Sequence, residues 1–410
     1  MQILVYEDPA VQTLSPITTG RPAYGITCAT FRLVDWLRLT GLPMLGCVRD
    51  HLVEIQKLDY GIPPWSSGNY QETPTFVINS RLVPQRHIFD WISQFEASDQ
   101  ALRMTHQGET VAAYFPSMPN APADADSFSL WFRDQVAPLR ATEAPLPLFR
   151  WPHDVVAENM RLMNENLEFR IAQGGYTQTA DGVFLGPGAR LGQFPVIDTS
   201  HGPILLDADV QVGPFCYLSG PVYAGPRTRV IEHAALKDGV SLGHTVKIGG
   251  EVEASVIEPF SNKQHHGFLG HSYLGSWINL GAGTCNSDLK NTYGLINMQY
   301  GNERVQTSMQ FMGCVMGDYT KTAINTGIFT GKVIGVCSML YGFVTSNVPS
   351  FVNYARLFGQ TAELPPDVMI ATQQRMFSRR KVTQRPCDQQ LIRDMHRLTE
   401  LEREGQLGML

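Results

Sequence analysis

The sequence predicts an α/β domain at the N-terminus, followed by a parallel β-helix built from six-residue repeats and by C-terminal helices. Three observations support this order. Strand-like and helical segments alternate through the first 145 residues, apolar side chains recur every six residues through the middle of the chain, and two helical segments follow residue 353. A chain of 410 residues is also too long for one ordinary core, so we expect more than one domain.

The six-residue repeat is the strongest of these signals. With 43% apolar residues, nine consecutive matches in one fixed register would occur by chance about once in 2000 trials. The same step recurs upstream over 185–191 and downstream over 274–340. The nine apolar positions are Leu206, Val212, Leu218, Ala224, Val230, Leu236, Leu242, Ile248 and Ala254.

A step of six has a direct structural interpretation. Six residues make one short strand and one tight corner, and three such units close a triangular coil. The apolar residue of each unit points into the prism, and glycine supplies corner conformations that are costly for other residues. An amphipathic β-sandwich is the alternative, but its strands recur every 8–12 residues or so and alternate with a period of two. The step of six therefore favours the β-helix.

The repeat stops between Ser255 and Phe268, and we expect this segment to leave the coils as an excursion loop. Such loops often carry the functional site of a solenoid. This segment holds Lys263, His265 and His266, and a polar stretch follows over 281–291. A solvated loop without a function is the alternative. The clustering of a basic side chain, histidines and amides favours a site.

A family resemblance becomes specific at this segment. The stretch KQHHGFLGHSYLGSWINLGAGTCN, which begins at Lys263, resembles the acetyltransferase signature of the bifunctional glucosamine-1-phosphate N-acetyltransferase/N-acetylglucosamine-1-phosphate uridylyltransferase family. In that family a histidine stands three residues before an aromatic-Leu-Gly step, and an asparagine precedes an apolar-Gly-Ala-Gly-Thr turn. The matching residues here are His265, Phe268, Asn279 and Asn286.

A shorter-headed bacterial branch of this family is more similar still. Its sequence motif, SNK-x-H-x-GFLG followed by NLGAGT-x-NS-x-LKN, is found over 261–291, and the resemblance covers most of 176–352. Members of the branch join a sugar nucleotidyltransferase domain to a hexapeptide-repeat acyltransferase domain. The resemblance therefore implies that the β-helix is left-handed, that it is an acyltransferase, and that its product belongs to UDP-N-acetylglucosamine biosynthesis.

The sequence also departs from the better-known branch. There, a lysine and an arginine on preceding coils hold the sugar phosphate, whereas Gly249 and Ile231 stand at those positions here. Phe268 replaces a tyrosine that contacts the sugar, and Ser287 stands where another tyrosine would follow the asparagine. We therefore expect a rebuilt acceptor pocket, with an amino sugar or a similar compound as the acceptor.

N-acyl transfer from a thioester requires an amine lone pair, a base for the amine proton and donors for the developing oxyanion. An unperturbed imidazole titrates at about pH 6.5, so a histidine can serve as that base near neutral pH. His265 is the candidate, and the adjacent His266 is its rival. The candidate acceptor-binding residues, which could contact the sugar ring, its hydroxyls or a phosphate, are Lys263, Phe268, Asn279, Asn286 and Lys290.

Acetyl-CoA is the co-substrate that the resemblance implies, bound in a groove between neighbouring subunits of a homotrimer. Its phosphates require cationic partners, and the candidates are Lys321, Lys332, Arg379 and Arg380. The basic run over 378–381 has an alternative interpretation as the end of an exposed helix.

The first 145 residues alternate between the two kinds of element. Strands are predicted in MQILVYE, LGCVRDHLVEI, TPTFVINSRLVP and QALRMTHQGETVAAYF, and helices late in 15–43 and in IFDWISQF. This order resembles the shortened nucleotidyltransferase head of the same branch, in which a Thr-x-x-RP loop and an apolar-Asn-x-Arg strand recur. Arg21, Asn79 and Arg81 stand at those positions.

The usual phosphate loop of such heads, LxAAGxGxR, is absent from the sequence, as is a matching GD pair for the metal. Phosphoryl transfer without a phosphate cradle and a metal carboxylate loses its main electrostatic stabilisation. Glu7, Asp8 and Arg21 are the candidate substitutes, with Mg²⁺ as the cofactor if the head is active; no metal is expected in the β-helix. An active uridylyltransferase, a head that binds nucleotide sugar and a head that stiffens the trimer all remain open.

Composition limits the partners. The net charge is −6, so a phosphorylated substrate must be held by a local cluster of Lys and Arg, and nucleic-acid binding has no support. No apolar run reaches the 18–20 residues or so that span a bilayer, and the N-terminus lacks an export signal. Seven cysteines without a CxxC pair indicate reduced thiols. We expect a cytoplasmic protein without a membrane partner.

The sequence thus predicts four segments: a shortened nucleotidyltransferase-like domain over 1–145, a linking helix over 146–175, the β-helix over 176–352 and a helical tail over 353–410. The expected function is acyl-CoA-dependent N-acyl transfer, most simply of acetyl, to an amino sugar or its 1-phosphate. Two alternatives are kept. One is a two-step enzyme that also forms UDP-N-acetylglucosamine from UTP, and the other is a non-catalytic nucleotide-sugar sensor or scaffold.

Overall fold

The computed structural model describes residues 1–66, 73–95, 99–355, 359–404 and 408–409. The chain divides into two compact units. The first comprises residues 1–14, 20–26 and 31–151, and the second comprises 15–19, 27–30 and 152–410. Two short pieces of the N-terminal region therefore belong to the second unit, which the sequence did not indicate.

A mixed sheet organises the described part of the first unit. Its strands are β1 (Gln2–Tyr6), β2 (Met44–Cys47), β3 (Thr75–Asn79), β4 (Leu102–His106), β5 (Glu109–Phe115) and β6 (Ala141–Glu143), in the order β2-β1-β3-β5-β4-β6. β1 pairs in parallel with both β2 and β3, whereas β5 is antiparallel to β3 and to β4. All residues of β1 and β3 are buried, as expected for central strands that are covered on both faces.

Helices and 3₁₀ turns complete this unit. The helices are α1 (Leu33–Leu39), α2 (Val53–Tyr60), α3 (Arg86–Gln94) and α4 (Ala125–Val136), and the 3₁₀ turns are Pro9–Leu14, Ala23–Gly25 and Asp50–Leu52.

The predicted α/β organisation is confirmed, with three differences in detail. The end of LGCVRDHLVEI is helical rather than extended, because the strand ends at Cys47 and α2 follows. The segment QALRMTHQGETVAAYF forms two strands, since Gln107 and Gly108 adopt positive φ angles and reverse the chain. Helix α4 was not predicted; Asp124 caps it by accepting a hydrogen bond from the Ser127 amide.

The second unit contains a parallel β-solenoid with three faces. The first face is formed by β8 (Val183–Leu185), β10 (Ile204–Leu206), β13 (Val222–Ala224), β16 (Val240–Leu242), β19 (Val256–Ile257), β22 (Tyr273–Leu274), β26 (Cys314–Met316) and β29 (Lys332–Ile334). The second face is formed by β11 (Gln211–Val212), β14 (Arg229–Val230), β17 (Lys247–Ile248), β20 (Asn262–Lys263), β27 (Lys321–Thr322), β30 (Met339–Leu340) and β32 (Val352–Ala355). The third face is formed by β9 (Val196–Asp198), β12 (Tyr217–Ser219), β15 (Ala235–Lys237), β18 (Glu251–Glu253), β21 (Phe268–Gly270), β23 (Cys285–Asn286), β28 (Gly327–Ile328) and β31 (Phe343–Val344).

The six-residue register is confirmed as the core of this solenoid. Eight of the nine apolar positions, from Leu206 to Ile248, lie in one buried cluster that runs through the prism. Stacking is like on like because the parallel strands pair without offset: Leu206 lies against Ala224 and Ala224 against Leu242. The exception is Ala254, which is buried but occupies a corner with a φ of 46°.

The expected excursion loop over 255–268 is not found. Strands β19 and β20 lie inside this segment and pair in register with β16 and β17. The coil here is shortened rather than extended: Ala224 and Leu242 are 18 residues apart, whereas Leu242 pairs with Ile257 only 15 residues on. Val252, not Ala254, takes the inward position on the third face, because the corner after Ile248 is two residues shorter.

The true excursion lies further along, over 287–313. Leu274 of β22 pairs directly with Met316 of β26, although 42 residues separate them. The excursion carries the hairpin of β24 (Asn297–Tyr300) and β25 (Glu303–Gln306). Its base is fixed to the coils by His271, whose Nδ1 lies 2.9 Å from Asp288 Oδ2 and whose ring stacks on Phe311.

Antiparallel strands extend the solenoid at both ends. Strand β7 (Thr177–Ala180) pairs with β8 at one end, and β33 (Gln360–Glu363), followed by β34 (Gly408–Met409), pairs with β32 at the other. The helices of this unit are α5 (Pro152–Ala172) before the coils, and α6 (Pro366–Arg379), α7 (Pro386–Leu398) and α8 (Glu400–Arg403) after them. The predicted fold class is confirmed. Within the described ranges, no helix has both the length and the hydropathy needed to cross a bilayer.

Candidate active site

A pocket of 570 Å³ opens on the second face of the solenoid, where the end of α6 packs against the coils. His265 lines this pocket, together with four cationic side chains: Lys247, Lys321, Arg379 and Arg380. None of the described residues that line it is acidic. The pocket therefore concentrates positive charge on a chain whose net charge is −6.

The register of the solenoid determines which cationic side chains of the coils point out of the prism on the second face. Val230 and Ile248 point into the prism, so the residue before each of them, Arg229 or Lys247, points outward. Parallel pairing continues this outward column through Asn262 and Asn279 to Lys321. Because neighbouring strands lie about 4.8 Å apart, these side chains form one ladder along the face.

The last residue of helix α6 and the residue after it supply the other two cations. Trp277 stacks on Phe260 of the neighbouring coil at 4.2 Å between ring centroids and contacts Phe377 of α6 at 4.4 Å. This aromatic stack anchors the C-terminal end of α6 over the ladder. Arg380, which follows the helix, donates a hydrogen bond to the side-chain oxygen of Asn262.

Burial lowers the pKa of three of these side chains, and neighbouring cations lower it further for two of them. Burial lowers the pKa of Lys247, and the neighbouring charges of Arg380, Arg229 and Arg379 lower it further. The pKa of Arg380 is lowered by burial first and then by Arg379 and Arg229. Burial alone lowers the pKa of Lys321 to about 8. An anionic ligand would relieve this repulsion, so the pocket is suited to phosphate groups.

His265 and His266 differ in position, although they are adjacent. Both are exposed on the turn between β20 and β21. Only His265 is among the residues that line the pocket, whereas His266 lies near Gly283 on the neighbouring coil. The imidazole of His265 is therefore the one that a ligand in the pocket would meet.

Two of the predicted acceptor-binding residues face the interior of the prism. Lys263 pairs with Ile248 at an inward position, and its ammonium donates to the carbonyls of Gly249 and Gly267 at 2.8 and 2.6 Å. Asn286 is also buried; its side chain accepts from the Gly270 amide at 2.9 Å and donates to the Gly270 carbonyl at 3.0 Å. Their polar atoms bond the backbone of the coils.

The remaining predicted residues lie elsewhere on the solenoid. Phe268 is half-buried on the third face, beside Glu251 of the preceding coil. Lys290 belongs to the excursion and donates to the Leu295 carbonyl. Lys332, on the first face, has a pKa lowered by burial and then by the charge of Lys290, so these two lysines are neighbours. Neither lysine lines the pocket.

The structure thus brings together five of the predicted residues: His265, Asn279, Lys321, Arg379 and Arg380. Sequence reasoning missed Lys247 and Arg229. The six-residue register contains the signal that would have found them, because the residue before each inward apolar position must point outward.

In the first unit, the predicted nucleotide-binding residues converge at the carboxyl ends of the parallel strands β1 and β3. Glu7 is buried and accepts hydrogen bonds from the Ala23 amide at 3.0 Å and from Arg49 Nε at 2.9 Å. Arg21 is also buried, and its carbonyl accepts from Arg49 Nη2 at 3.2 Å. Arg49 is a member of this cluster that the sequence did not reveal.

Asp8 forms the second half of the cluster. It accepts from Arg81 Nε at 2.8 Å, from Arg81 Nη2 at 2.7 Å and from the Asn79 side chain at 2.8 Å. Arg81 is 1% exposed and also donates to Glu109 at 3.0 Å. The bidentate geometry is that of a strong carboxylate–guanidinium pair.

A magnesium ion at this cluster would have to compete with arginines and amides for the carboxylate oxygens. Mg²⁺ takes oxygen ligands in octahedral geometry, usually from one or two carboxylates and substrate phosphates. Here both oxygens of Glu7 and both oxygens of Asp8 are engaged by arginines and amides. Within the described chain, no group of three or more acidic, histidine or cysteine side chains is placed to hold a metal.

Comparison with known proteins locates the relatives of this chain. Residues 3–173 match the family model described as sugar nucleotidyl transferase. The protein named bifunctional protein GlmU from Cupriavidus pinatubonensis is 36% identical over 115 residues, which are 27% of this chain and 24% of that protein. The protein of the same name from Azorhizobium caulinodans is 32% identical over 146 residues, or 32% of this chain and 31% of that protein.

An archaeal relative matches over a similar length. The bifunctional sugar-1-phosphate nucleotidylyltransferase/acetyltransferase of Sulfurisphaera tokodaii is 28% identical over 142 residues, or 34% of this chain and 35% of that protein. The chain therefore spans about a quarter to a third of the length of these curated relatives. The matches confirm the resemblance inferred from the sequence.

We expect Arg81→Met to reduce the free energy of unfolding by about 3 kcal/mol or more, because Asp8 would lose its guanidinium partner inside the first unit. Urea denaturation followed by circular dichroism measures this change. Arg133→Met is the matched control: Arg133 and its partner Asp134 are both 71% exposed, so the change should stay within about 0.5 kcal/mol. Equal losses for the two variants would contradict the structural role of Arg81.

Proposed function

We propose that the β-helix catalyses acyl transfer from acyl-CoA to the amino group of an amino sugar or its 1-phosphate, with His265 as the general base. The observation that carries this proposal is the pocket in which His265 shares a wall with Lys247, Lys321, Arg379 and Arg380. A non-catalytic scaffold would have no need to gather four cationic side chains on a wall without an acidic residue among its described lining.

The chemistry of coenzyme A matches this wall. The molecule carries a diphosphate and a ribose phosphate, and a cluster of lysine and arginine side chains is the usual partner for such groups. The pocket volume of 570 Å³ lies within the range of about 300–1,000 Å³ that is typical of small-molecule and cofactor sites. Apolar lining residues such as Phe260 and Ile324 offer surface for the uncharged parts of the ligand.

His265 would act on the incoming amine. The amine lone pair attacks the thioester carbonyl, the imidazole accepts the amine proton, and the carbon–sulfur bond then breaks to release the coenzyme A thiol, which takes up a proton. The exposed position of His265 at the pocket wall supports access to both substrates. Asn279, on the same wall, is the proposed partner for acceptor hydroxyls.

The central test compares His265→Ala with His266→Ala. Acetyl-CoA turnover is followed as thiol release with glucosamine 1-phosphate and, separately, with glucosamine. We expect His265→Ala to lower kcat at least about a hundredfold, because the general base is lost, and His266→Ala to stay close to the parent. Parental activity should fall at acidic pH, where a protonated imidazole cannot accept a proton.

The same comparison separates the alternatives. Normal rates in His265→Ala together with loss in His266→Ala would make His266 the base. Normal rates in both would place the chemistry elsewhere. Failure of the parent protein to release thiol with any amino sugar would favour a sensor or scaffold.

A cytoplasmic homotrimer is part of the proposal, as the sequence resemblance implied. Exposed apolar side chains support self-association: Phe194, Val196 and Phe215 are 69%, 60% and 54% exposed on adjacent coils. Phe194 stacks on Phe215, and Phe215 on His233, each at 5.4 Å between ring centroids. A contiguous apolar ladder of this kind is typical of a protein–protein contact.

Sedimentation equilibrium should give about three times the mass of the 45.6 kDa chain. The double variant Phe194→Ser, Phe215→Ser is expected to shift the equilibrium towards the monomer, because it removes the centre of the apolar ladder. Leu401→Ser is the control, since Leu401 is 78% exposed but stands apart from that ladder in sequence and on a C-terminal helix. A parent chain that sediments as a monomer would remove the shared acyl-CoA groove from the proposal.

Nucleotidyl transfer by the first unit is the second candidate function. The match of residues 3–173 to the sugar nucleotidyl transferase family supports it, and with the β-helix it would make a two-step enzyme that forms UDP-N-acetylglucosamine. Glu7 and Asp8 argue against a strong activity, because arginines occupy the carboxylates that would serve a metal ion.

We therefore expect weak or no pyrophosphate release from UTP, Mg²⁺ and N-acetylglucosamine 1-phosphate, measured with a coupled phosphate assay. Robust release that disappears in Arg21→Ala would contradict this expectation and establish the two-step enzyme. Binding of UDP-N-acetylglucosamine without turnover, measured by calorimetry and lost in Arg21→Ala, would instead support a head that binds nucleotide sugar.

A further inference from the structure

Lys263 occupies a place in the prism that the repeat reserves for an apolar side chain. It pairs with Ile248 of the preceding coil, and Leu280 takes the same place in the next coil. Both neighbours belong to the apolar core, whereas Lys263 is a charged residue that is only 3% exposed. A leucine or methionine would fill this space without the desolvation that a buried ammonium suffers.

The ammonium of Lys263 uses each of its three N–H donors. It donates to the carbonyls of Gly249 at 2.8 Å, His265 at 3.3 Å and Gly267 at 2.6 Å. An ammonium has three donors and no acceptor, so its hydrogen-bonding capacity is filled by backbone. Lys263 therefore has no donor left for a phosphate group in the pocket.

Two of these three carbonyls belong to the turn that carries His265. From inside the prism, Lys263 bonds the His265 carbonyl and shares the Gly267 carbonyl with the Glu251 amide, which donates to it at 3.1 Å. The third carbonyl, that of Gly249, ties the same ammonium to the preceding coil. The backbone of Gly249 also approaches Gln264 so closely that a side chain at Gly249 would collide with the Gln264 carbonyl.

We infer that Lys263 is a positioning residue that fixes the His265 imidazole at the pocket wall. This inference rests on the proposed role of His265. Bonds to the carbonyls at 265 and 267 restrict the backbone on which the ring is mounted, and a misplacement of about 1 Å is enough to slow an enzymatic reaction strongly. Burial lowers the pKa of Lys263 to about 8, whereas the nearby Cys285 and Glu251 raise it. The dominance of burial is consistent with a role inside the prism.

The test uses Lys263→Met, which keeps the length of the side chain but removes its donors, and Lys263→Arg, which keeps the charge. Lys237→Met is the matched control, because the Lys237 ammonium pairs with Glu251 and Glu253 on the outside of the third face. Three quantities are measured on the full chain: kcat and KM for acetyl-CoA, the melting temperature, and the NMR titration of the His265 ring, assigned by its absence in His265→Ala.

In Lys263→Met we expect kcat to fall about tenfold or more, with KM for acetyl-CoA within about twofold of the parent, because the cationic wall is untouched. The His265 resonance should shift and broaden. Lys263→Arg should recover part of kcat, and Lys237→Met should behave as the parent. A folded Lys263→Met protein with parental kcat and an unchanged His265 resonance would overturn the inference.

Two further outcomes are also decisive. If Lys263→Met does not fold, Lys263→Gln retains an N–H donor and takes its place; parental kcat and an unchanged His265 resonance in that variant would overturn the inference. If His265→Ala retains full turnover, the proposed base is wrong. The His265 resonance in the Lys263 variants then still shows whether Lys263 fixes the ring, since NMR does not depend on turnover.

Discussion

The structure depends on one constraint: parallel strands that pair without offset place equivalent positions of successive coils directly above one another, so these positions need similar residues. Leu206, Ala224 and Leu242 lie above one another for this reason, and the prism is filled only if each coil presents an apolar residue at the same place. The constraint acts on the outside as well, because fixing the inward residue of a strand fixes its outward neighbour. Arg229 and Lys247 consequently form part of a ladder rather than being scattered over the surface.

The two units handle charge in opposite ways. In the first unit, buried carboxylates and guanidinium groups are matched, so that Asp8 and Arg81 neutralise each other and stiffen the ends of the strands. In the pocket of the second unit, cations are gathered without an acidic partner among the described lining residues. Matched charges stabilise a local structure, whereas unmatched charges create an affinity for anions. The contrast supports ligand binding at the pocket and a more structural role for the acidic residues of the head.

The repeat could be predicted from the sequence because inward stacking leaves a strict period in the chain. The shortened coil could not be predicted, because the six-residue period is lost whether residues are removed or inserted. Only the pairing of Val252 with Leu236 in the structure shows that residues are missing from this coil. Lys263 was predicted to lie in a loop for a related reason, because a charged residue at an inward position indicates a loop when its backbone partners are unknown. Arg380 was predicted as a cationic residue, but its place beside Lys247 depends on how α6 packs. Packing between distant segments leaves no local pattern to detect.

The excursion over 287–313 has a consequence for how such a solenoid can change over time. The entropy of closing a loop grows only with the logarithm of its length, and each doubling costs about 0.6 kcal/mol. The 42-residue connection between Leu274 and Met316 is therefore little more costly to close than an ordinary coil, although the pairing on either side is undisturbed. An insertion at this corner can be lengthened, shortened or exchanged while the rest of the coils keep their register. The fold separates coils in strict register from a corner at which the length of the chain can vary.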